Sequence, residues 1–417
     1  MNSILIKNIH FNDVVTDILI VGNRISKVTQ NIVYKADKIV NGEGKVIIPG
    51  LINMHTHAAM TLMRGIGEDM SLMDWLENRI WPVEQKLDDE LVYWGTKLAC
   101  LEMIKSGTTT YNDQYWRVPV SVKAVEEMGL RSVQPYVILD LMDTSKSEQI
   151  KRECNEMYEL SKSWGDRTMF AVGIHSPYSV SEEMIIWASK FARERGLLVH
   201  IHLSETKGEN ERSIAKHGLT PTGYLEKLGV LGPEVIAAHC LWLSEDDIKI
   251  LAKRDVKVVH NINSNLKIAS GYKFLYNELR DAGLTVTLGT DGCASSNNLD
   301  MIETMKITAL VQKGWRNDPR ELPLNELISL ATVNGGKSLG IESGEIREGY
   351  LADMTLIDIN SFAFTPNINF YANLIYSANS SCVHTVICDG RIVMENRKVN
   401  GENEIINMVN KLYKKLL

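Results

Sequence analysis

The chain has 417 residues, of which 44% are hydrophobic and 23% charged, and its formal net charge is −7. This composition excludes extensive disorder and allows one large core or two to three domains. The acidic balance argues against nucleic acid as a partner, because a phosphate backbone attracts a basic surface. No apolar run approaches the roughly 20 residues of a membrane span, and the N-terminus lacks a signal-peptide pattern, so we expect a cytoplasmic protein without a membrane partner.

Both ends of the chain have the pattern of short β-strands. Residues 1–50 alternate in short apolar segments, with Gly22 and Asn23 as a turn. Residues 345–417 repeat this texture, with a turn at Asp389 and Gly390, and finish in a helical stretch. Because neither end can bury a core alone, we predict that residues 1–50 and 345–417 form one small β-sandwich domain with a terminal helix.

The central part, residues 51–344, alternates between apolar runs and helical stretches. Eight such runs follow one another: GLINMHTH, TTTYND, SVQPYVILD, MFAVGIHSP, LVHIHLSE, VIAAHC, KVVHNINS and TVTLGTDG. Eight strands with crossover helices describe a TIM (β/α)8 barrel better than an open sheet. The predicted fold is therefore α/β, with a catalytic barrel over residues 51–344 and the small domain at the two ends.

Each of the eight runs finishes in polar residues. In TIM barrels the chemistry lies at the C-terminal ends of the strands, so we expect these side chains to surround one mouth. The residues expected there are His55, His57, Asp113, His175, His202, Glu205, His239, His260, Asn261 and Asp291.

Two His-x-His pairs occur, His55 with His57 and His200 with His202. Ten histidines distributed at random would give only about a quarter of one such pair. Residues two apart in a strand point to the same side, so each pair can direct imidazoles at one ion. We predict one divalent metal per chain, zinc or iron, bound by His55, His57, His202 and Asp291 with an open position for water. Spacing alone leaves open whether His200 or His202 is the ligand.

The six cysteines contain no C-x-x-C pair and are expected to be reduced thiols, without a structural zinc or a disulfide. They are Cys100, Cys154, Cys240, Cys293, Cys382 and Cys388.

Several motifs resemble those of the amidohydrolase superfamily, and within it the 5'-methylthioadenosine/S-adenosylhomocysteine deaminases. They are PGLINMHTH, AAMTLMRGIGEDMSLMDWLENRIWPVE, HLSET, AHC, HNINSNLKIASG and LGTDGCASSNNLDM, and the similarity spans almost the whole chain. The resemblance implies a mononuclear site, because AVGIHSP lacks the lysine that bridges two metals in other members. The H-x-x-E unit of the family falls on His202 and Glu205, which favours His202 over His200 as the ligand.

The resemblance also implies a reaction, the hydrolytic deamination of adenosine-type nucleosides by a metal-bound hydroxide. Zinc lowers the pKa of its bound water to about 7. Glu205 would carry a proton from that water to the purine N1, His239 would orient the hydroxide, and Asp291 would pass a proton to the departing ammonia. Glu84 would accept hydrogen bonds from the ribose hydroxyls, and His175 would contact the base. Candidate substrates are 5'-methylthioadenosine, S-adenosylhomocysteine and 5'-deoxyadenosine.

The sequence departs from this family at two places. His260-Asn261-Ile262 replaces the usual H-N-P, and Tyr136 aligns with an arginine that is implied to grip the amino-acid tail of the substrate. We therefore expect a preference for neutral 5' groups, unless Arg117 or Arg152 restores the contact.

Alternatives are a guanine or pterin deaminase, an s-triazine hydrolase, or a noncatalytic barrel scaffold. The sequence allows a homo-oligomer without indicating the number of copies.

Overall fold

The computed structural model describes residues 3–416. Its first five strands belong to a small sheet, and the first two contain runs of four and five consecutive buried residues, so the sheet is covered on both faces there. The five strands are β1 (Ser3–Phe11), β2 (Val14–Val21), β3 (Arg24–Thr29), β4 (Lys38–Asn41) and β5 (Lys45–Pro49).

Eight parallel strands follow and form the barrel. They are β6 (Leu51–Thr56), β7 (Thr108–Asp113), β8 (Arg131–Ile138), β9 (Thr168–Ile174), β10 (Val199–Leu203), β11 (Val235–His239), β12 (Lys257–His260) and β13 (Val286–Leu288). Each pairs with the next in sequence. Beyond β13, the Asp291 N–H donates to the His55 carbonyl at 3.0 Å, which brings the last strand to the first. This arrangement confirms the predicted TIM barrel.

Helices connect the barrel strands and follow them. The α-helices are α1 (Leu72–Trp75), α2 (Trp81–Glu84), α3 (Asp89–Lys105), α4 (Val118–Met128), α5 (Ser147–Ser161), α6 (Glu182–Arg195), α7 (Lys207–His217), α8 (Pro221–Lys227), α9 (Glu245–Lys253), α10 (Ile262–Lys267), α11 (Tyr276–Asp281), α12 (Cys293–Ser296), α13 (Met301–Arg316), α14 (Leu324–Leu330), α15 (Val333–Leu339), α16 (Phe370–Ala372) and α17 (Glu402–Leu412). Short 3-10 or π segments cover Ala58–Met63, Leu76–Ile80, Thr144–Lys146, Phe362–Phe364, Asn373–Ser377, Ser380–Cys382 and Tyr413–Lys415.

Local sequence explains where the longer helices begin and end. Asp88 accepts a hydrogen bond from the Leu91 N–H at 2.8 Å and so caps α3. Ser244 and Asp247 form a capping box at the start of α9. At the other ends, Gly196 stops α6 in the left-handed conformation that a glycine adopts without strain.

Apolar side chains from five strands fill the barrel towards its N-terminal end. Strands β8, β9, β11 and β12 contribute Val133, Ala171, Ile236 and Val259 to one buried cluster with Met54 of β6. Side chains from strands on different sides of a barrel meet only in its interior, so this cluster closes the barrel below the polar strand ends.

The small sheet unites both ends of the chain. Its C-terminal strands are β14 (Met354–Asp358), β15 (Val383–Cys388) and β16 (Arg391–Met394), and the strand order is β16, β15, β14, β5, β1, β2, β3, with β4 beside β1. The join between the ends is the antiparallel pair of β5 with β14. This confirms a small β domain formed by the two ends, whereas the domain limits at residues 50 and 344 stay a prediction.

The terminal helix α17 lies against α3 of the barrel. Val409 and Leu412 share a buried cluster with Leu91, and Lys105 of α3 pairs with Glu402 at 2.6 Å. All six cysteines are buried and free. Within residues 3–416 no helix has the length and apolar character required to cross a bilayer.

Candidate active site

Four of the side chains that the sequence selects for a metal site lie together at the C-terminal end of the barrel. The Asp291 Oδ1 atom is 3.4 Å from His55 Nε2 and 3.2 Å from His57 Nε2. The His202 ring centroid is 4.9 Å from that of His55 and 5.4 Å from that of His57. Strands β6, β10 and the segment after β13 thus bring three imidazoles and one carboxylate to a common centre.

Backbone carbonyls orient two of these imidazoles. His57 Nδ1 lies 2.6 Å from the Gln114 carbonyl oxygen, and His202 Nδ1 lies 2.6 Å from that of His175. A carbonyl only accepts hydrogen bonds, so both Nδ1 atoms carry a proton, and in the neutral form of each ring the lone pair lies on Nε2. The two lone pairs are therefore available to a ligand at the centre of the cluster.

His200 supports His55 from behind. His200 Nδ1 lies 3.2 Å from the Asp113 carbonyl oxygen and His200 Nε2 lies 3.0 Å from His55 Nδ1. Because the carbonyl requires a proton on His200 Nδ1, His200 Nε2 accepts from His55 Nδ1–H. This fixes the lone pair of His55 on Nε2, which is buried and has no hydrogen-bond partner among residues 3–416.

These donors fit a divalent metal ion. A buried nitrogen without a partner is costly, and here it points at a carboxylate and two other imidazole nitrogens. The chemistry of three neutral imidazoles and one carboxylate is that of zinc and similar divalent ions. Two overlapping groups of possible ligands share His55. One consists of His55, His57 and Asp291, and the other of His55, His202 and His239. All four predicted ligands belong to these groups.

The charges of the cluster are strongly coupled. Burial disfavours the charged Asp291 carboxylate, but the close His55 and His57 imidazoles hold the pKa of Asp291 well below its usual value. Burial also opposes the charged form of His57, yet the Asp291 carboxylate outweighs it and raises the pKa of His57 to about 9. For His55, burial prevails and lowers the pKa to about 4. The Asp291 carboxylate therefore favours a positive charge beside it, which either a protonated His57 or a metal cation can supply.

Glu205 and His239 border the same centre. The Glu205 Oε2 atom is 3.7 Å from His239 Nε2, and His239 Nδ1 is 2.9 Å from Asn265 Oδ1. Burial raises the pKa of Glu205, the Asp291 charge adds to the rise, and His239 opposes it. A buried carboxyl group with a raised pKa beside a cluster of imidazoles suits proton transfer.

Strained backbone directs these side chains. His239 has φ +72° and Asp291 has φ +60°, both in the left-handed region that non-glycine residues rarely adopt. Asp291 is further held by the Gly292 N–H at 2.7 Å and by the Ser295 hydroxyl at 3.0 Å. The strand ends are thus bent to aim His239 and Asp291 into the cluster.

One cavity of about 660 Å³, counting its solvent-open part, connects the cluster with the two residues expected to bind substrate. It is lined by His57, Met60, Trp75, Leu76, Ile80, Trp81, Glu84, Gln114, Tyr115, Trp116, Val137, His175, Tyr178, His202, Glu205, His239, Ile268, Asp291 and Ser295. Burial raises the pKa of Glu84, and the nearby Tyr115 hydroxyl opposes that rise. Burial lowers the pKa of His175 to about 4, which leaves this imidazole neutral at pH 7.

Comparison with known proteins identifies the family. The profile of the amidohydrolase family matches residues 46–393. The chain belongs to the amidohydrolase family. It is similar to a 5'-deoxyadenosine deaminase of Methanothermobacter thermautotrophicus, with 44% identity over 397 residues, 93% of this chain and 90% of that one. It is also similar to a 5-methylthioadenosine/S-adenosylhomocysteine deaminase of Thermococcus sibiricus, with 45% identity over 399 residues and 94% of each chain.

The solved structures include a similar fold with a metal. An adenosine deaminase from Xanthomonas campestris with bound zinc is 29% identical, has a TM-score of 0.94, and is matched over 99% of this chain and 98% of that one. Together with the two sequence relatives, it confirms the resemblance on which the sequence-based prediction of a metal-dependent aminohydrolase was built.

In this amidohydrolase, Glu209 holds the backbone at Glu205, a role that was not predicted from the sequence. Its carboxylate accepts the N–H groups of Ser204 at 3.0 Å and of Glu205 at 2.8 Å. Glu209 is buried, and burial, the largest influence, together with the charge of Glu205 raises the pKa of Glu209 to about 7. The available signal was a second glutamate four residues after Glu205, in the first turn of α7.

Two residues expected at the mouth of this amidohydrolase, His260 and Asp113, make structural contacts instead. The His260 ring stacks on Phe274 with centroids 4.0 Å apart and does not line the cavity, because this side chain at the end of β12 points into the layer between strands and helices. The Asp113 carboxylate accepts the Ala58 N–H at 2.8 Å and the Gln114 N–H at 3.0 Å. Asp113 thereby fixes the turn after β6 that carries His57.

Proposed function

We propose that the chain is a hydrolytic deaminase of adenosine-type nucleosides, which releases ammonia and the inosine analogue. Its candidate substrates are 5'-methylthioadenosine, S-adenosylhomocysteine and 5'-deoxyadenosine, the compounds in the names of the relatives at 44% and 45% identity. The observation that carries the proposal is the shared cavity. Its lining includes His57, His202, Asp291, Glu205 and Glu84.

His55, His57, His202 and Asp291 would hold one divalent ion in this proposal. Zinc is preferred to iron, because the donor set suits it and the adenosine deaminase of similar structure contains zinc. When bound, the ion supplies a Lewis acid that makes water nucleophilic at neutral pH. Metal analysis of the purified protein tests this assignment, and one zinc per chain is the expected result.

Glu205 would transfer the proton that deamination requires. Adenine C6 is weakly electrophilic, so the ring nitrogen N1 must gain a proton as water attacks. The ionised Glu205 takes a proton from the water and then donates it to N1, and its raised pKa eases the second transfer. His239, whose Nδ1–H is bound to Asn265, presents Nε2 as an acceptor that orients the water. Asp291 would receive the second proton and pass it to the departing ammonia.

Glu84 and His175 would position the nucleoside. The partly buried Glu84 carboxylate is an acceptor-only group, which matches the two ribose hydroxyls as donors. The His175 ring is fixed by a 2.7 Å hydrogen bond between Nδ1 and the Ser179 hydroxyl, which leaves Nε2 for the base. Trp75 and Trp81 add aromatic surface to the cavity wall and suit a planar purine.

Product analysis tests the proposal directly. Purified protein with saturating zinc is incubated separately with each of the three nucleosides and with guanine, a pterin and a chloro-s-triazine. We expect ammonia and the inosine analogue from the nucleosides and no conversion of the other three compounds. If a metal-loaded preparation releases ammonia from none of the nucleosides, the proposal is wrong.

A further inference from the structure

Gln114 lies in the wall of the active-site cavity. It directly follows strand β7, lines the cavity and is 3% exposed. Its backbone is fully engaged, because the N–H donates to the Thr56 carbonyl at 2.9 Å and the carbonyl accepts from His57 Nδ1 at 2.6 Å. These contacts fix Gln114 beside one of the proposed metal ligands.

The side chain of Gln114 has one polar atom without a partner. Its Nε2 donates to the Ile174 carbonyl at 3.1 Å, whereas Oε1 is buried and receives no hydrogen bond from a described residue. Gln312 shows the completed form of this arrangement: its Nε2 donates to the Phe274 carbonyl at 3.0 Å and its Oε1 accepts from Trp315 Nε1 at 3.3 Å. A buried acceptor without a donor is unfavourable, so the Gln114 amide indicates a donor on a ligand.

An adenosine-type nucleoside, the substrate class of the proposed function on which this inference rests, carries donors in two places. They are the 6-amino group of the base and the hydroxyls of the sugar. In that proposal the amino group leaves beside Asp291, after β13, and β13 adjoins β6. The Gln114 side chain reaches the other way, from β7 toward Ile174 at the end of β9. Its amide therefore lies away from the departing amino group.

The neighbours of Gln114 belong to the part of the cavity that would hold the sugar. Tyr115 and Trp116 follow it in sequence, line the same cavity and lie beside the Glu84 carboxylate. The Ile174 carbonyl that holds the amide directly precedes His175, which would contact the base. A sugar hydroxyl is therefore the donor nearest to this amide.

We infer that Gln114 is a specificity residue whose Oε1 accepts a hydrogen bond from one ribose hydroxyl. Glu84 then holds the other hydroxyl, so that two acceptors meet the two donors of the diol. Because Nε2 is bound to the Ile174 carbonyl, the amide cannot turn to present a donor without losing that bond. A deoxy sugar leaves Oε1 unpaired and is disfavoured.

Three nucleosides test this contact: 5'-methylthioadenosine and its 2'-deoxy and 3'-deoxy analogues. For each we measure kcat/KM with the zinc-loaded parent and with Gln114→Met, whose side chain has a similar length and no amide. In the parent, removal of the hydroxyl that meets Gln114 should lower kcat/KM about tenfold. In Gln114→Met the same removal should have little effect, so the ratio of kcat/KM for the ribose compound to that for this analogue should fall to about one.

Gln312→Met is the matched control. It also removes a buried amide that is bound to a backbone carbonyl, but Gln312 does not line the cavity, so both ratios should keep their parental values. Loss of the bond to Ile174 in Gln114→Met acts on all three substrates alike. A ratio within one variant removes that effect, together with any change in folding or metal content.

The outcomes separate this inference from the proposed function. If the nucleosides are deaminated but both ratios in Gln114→Met equal those of the parent, the inference is wrong and the proposed function stands. That result is also the one expected if Oε1 meets the 6-amino group, which all three substrates share. Equal changes in Gln312→Met would likewise overturn the inference. If the metal-loaded parent deaminates none of the nucleosides, both proposals are wrong. A ratio that falls for either analogue in Gln114→Met alone supports the contact.

Discussion

Two buried ionic clusters lie at opposite ends of the barrel. They differ in whether their polar atoms find hydrogen-bond partners within the chain. At the start of β8, Arg131 contacts Asp353 at 3.2 Å and Asp389 at 2.9 Å. Asp353 also accepts the Ser343 hydroxyl at 2.9 Å and the Asp389 N–H at 2.7 Å. At the other end, His55 Nε2 has no partner within residues 3–416.

This difference indicates that the Arg131 cluster stabilises the fold and that the histidine cluster binds a ligand. Both carry the cost of removing charged groups from water. The Arg131 cluster offsets that cost with its own hydrogen bonds and joins the barrel to β14 and the β15–β16 turn of the small sheet. The histidine cluster leaves a lone pair unused, so it requires a cation from outside. Changes in the first should alter stability, and changes in the second should alter chemistry.

The largest effect is expected for His57→Ala. Removal of one ligand and its contact with Asp291 should abolish metal retention and lower turnover roughly a thousandfold or more, since a metal contributes several kcal/mol to the transition state. Metal content per chain and turnover are measured on the same preparation. Full metal occupancy in this variant, or two metals per chain in the parent, would contradict the proposed site.

Arg131→Met should have the opposite effect to His57→Ala, with stability reduced and turnover unchanged. The change leaves the buried Asp353 carboxylate without its cation, while Asp389 keeps Arg167 at 3.8 Å. The free energy of unfolding should therefore fall by about 3 to 5 kcal/mol while turnover per folded molecule is unchanged. Denaturant unfolding and kcat measure the two quantities. Arg320→Met is the matched control, because Arg320 pairs with Asp318 on an exposed surface and should cost about 1 kcal/mol or less. An equal decrease in the free energy of unfolding of both variants would show that the buried cluster contributes no more to stability than the exposed ion pair.

Glu205→Gln should retain the metal and the fold and lose at least about a hundredfold in turnover, the usual scale of general acid-base catalysis. In the parent, activity needs the ionised carboxylate and falls as pH decreases through a pKa that burial has raised. The acid limb of kcat/KM should therefore lie above the value of about 4.3 for an ordinary glutamate. Near-normal turnover of the variant would exclude Glu205 as the proton carrier.

The sequence predicts the barrel and the mouth because both follow from periodic patterns. Eight apolar runs with polar ends specify eight parallel strands. The topology then brings His55, His57, His202 and Asp291 to one end of the barrel without any knowledge of side-chain packing. The orientation of His260 was not predictable in this way, because one side chain at the end of a strand can turn to either face.

The contacts that orient the site residues could not be predicted from residue types. His57 and His202 are oriented by backbone carbonyls, which every residue possesses and which leave no sequence signal. Glu209 acts through the backbone N–H groups of its neighbours.

The smallest effect is expected for His200→Asn, which tests the two histidines of β10 against each other. His200 holds the proton on His55 Nδ1 and contributes no free nitrogen to the cluster, so its loss should weaken metal affinity by about 10- to 100-fold, as for other residues that orient a ligand. At saturating zinc the variant should still bind one ion per chain. His202→Asn is the matched partner and should fail to bind the metal under the same conditions. Chelator competition measures both affinities, and the reverse result, with metal lost from His200→Asn and kept in His202→Asn, would assign the ligand to His200.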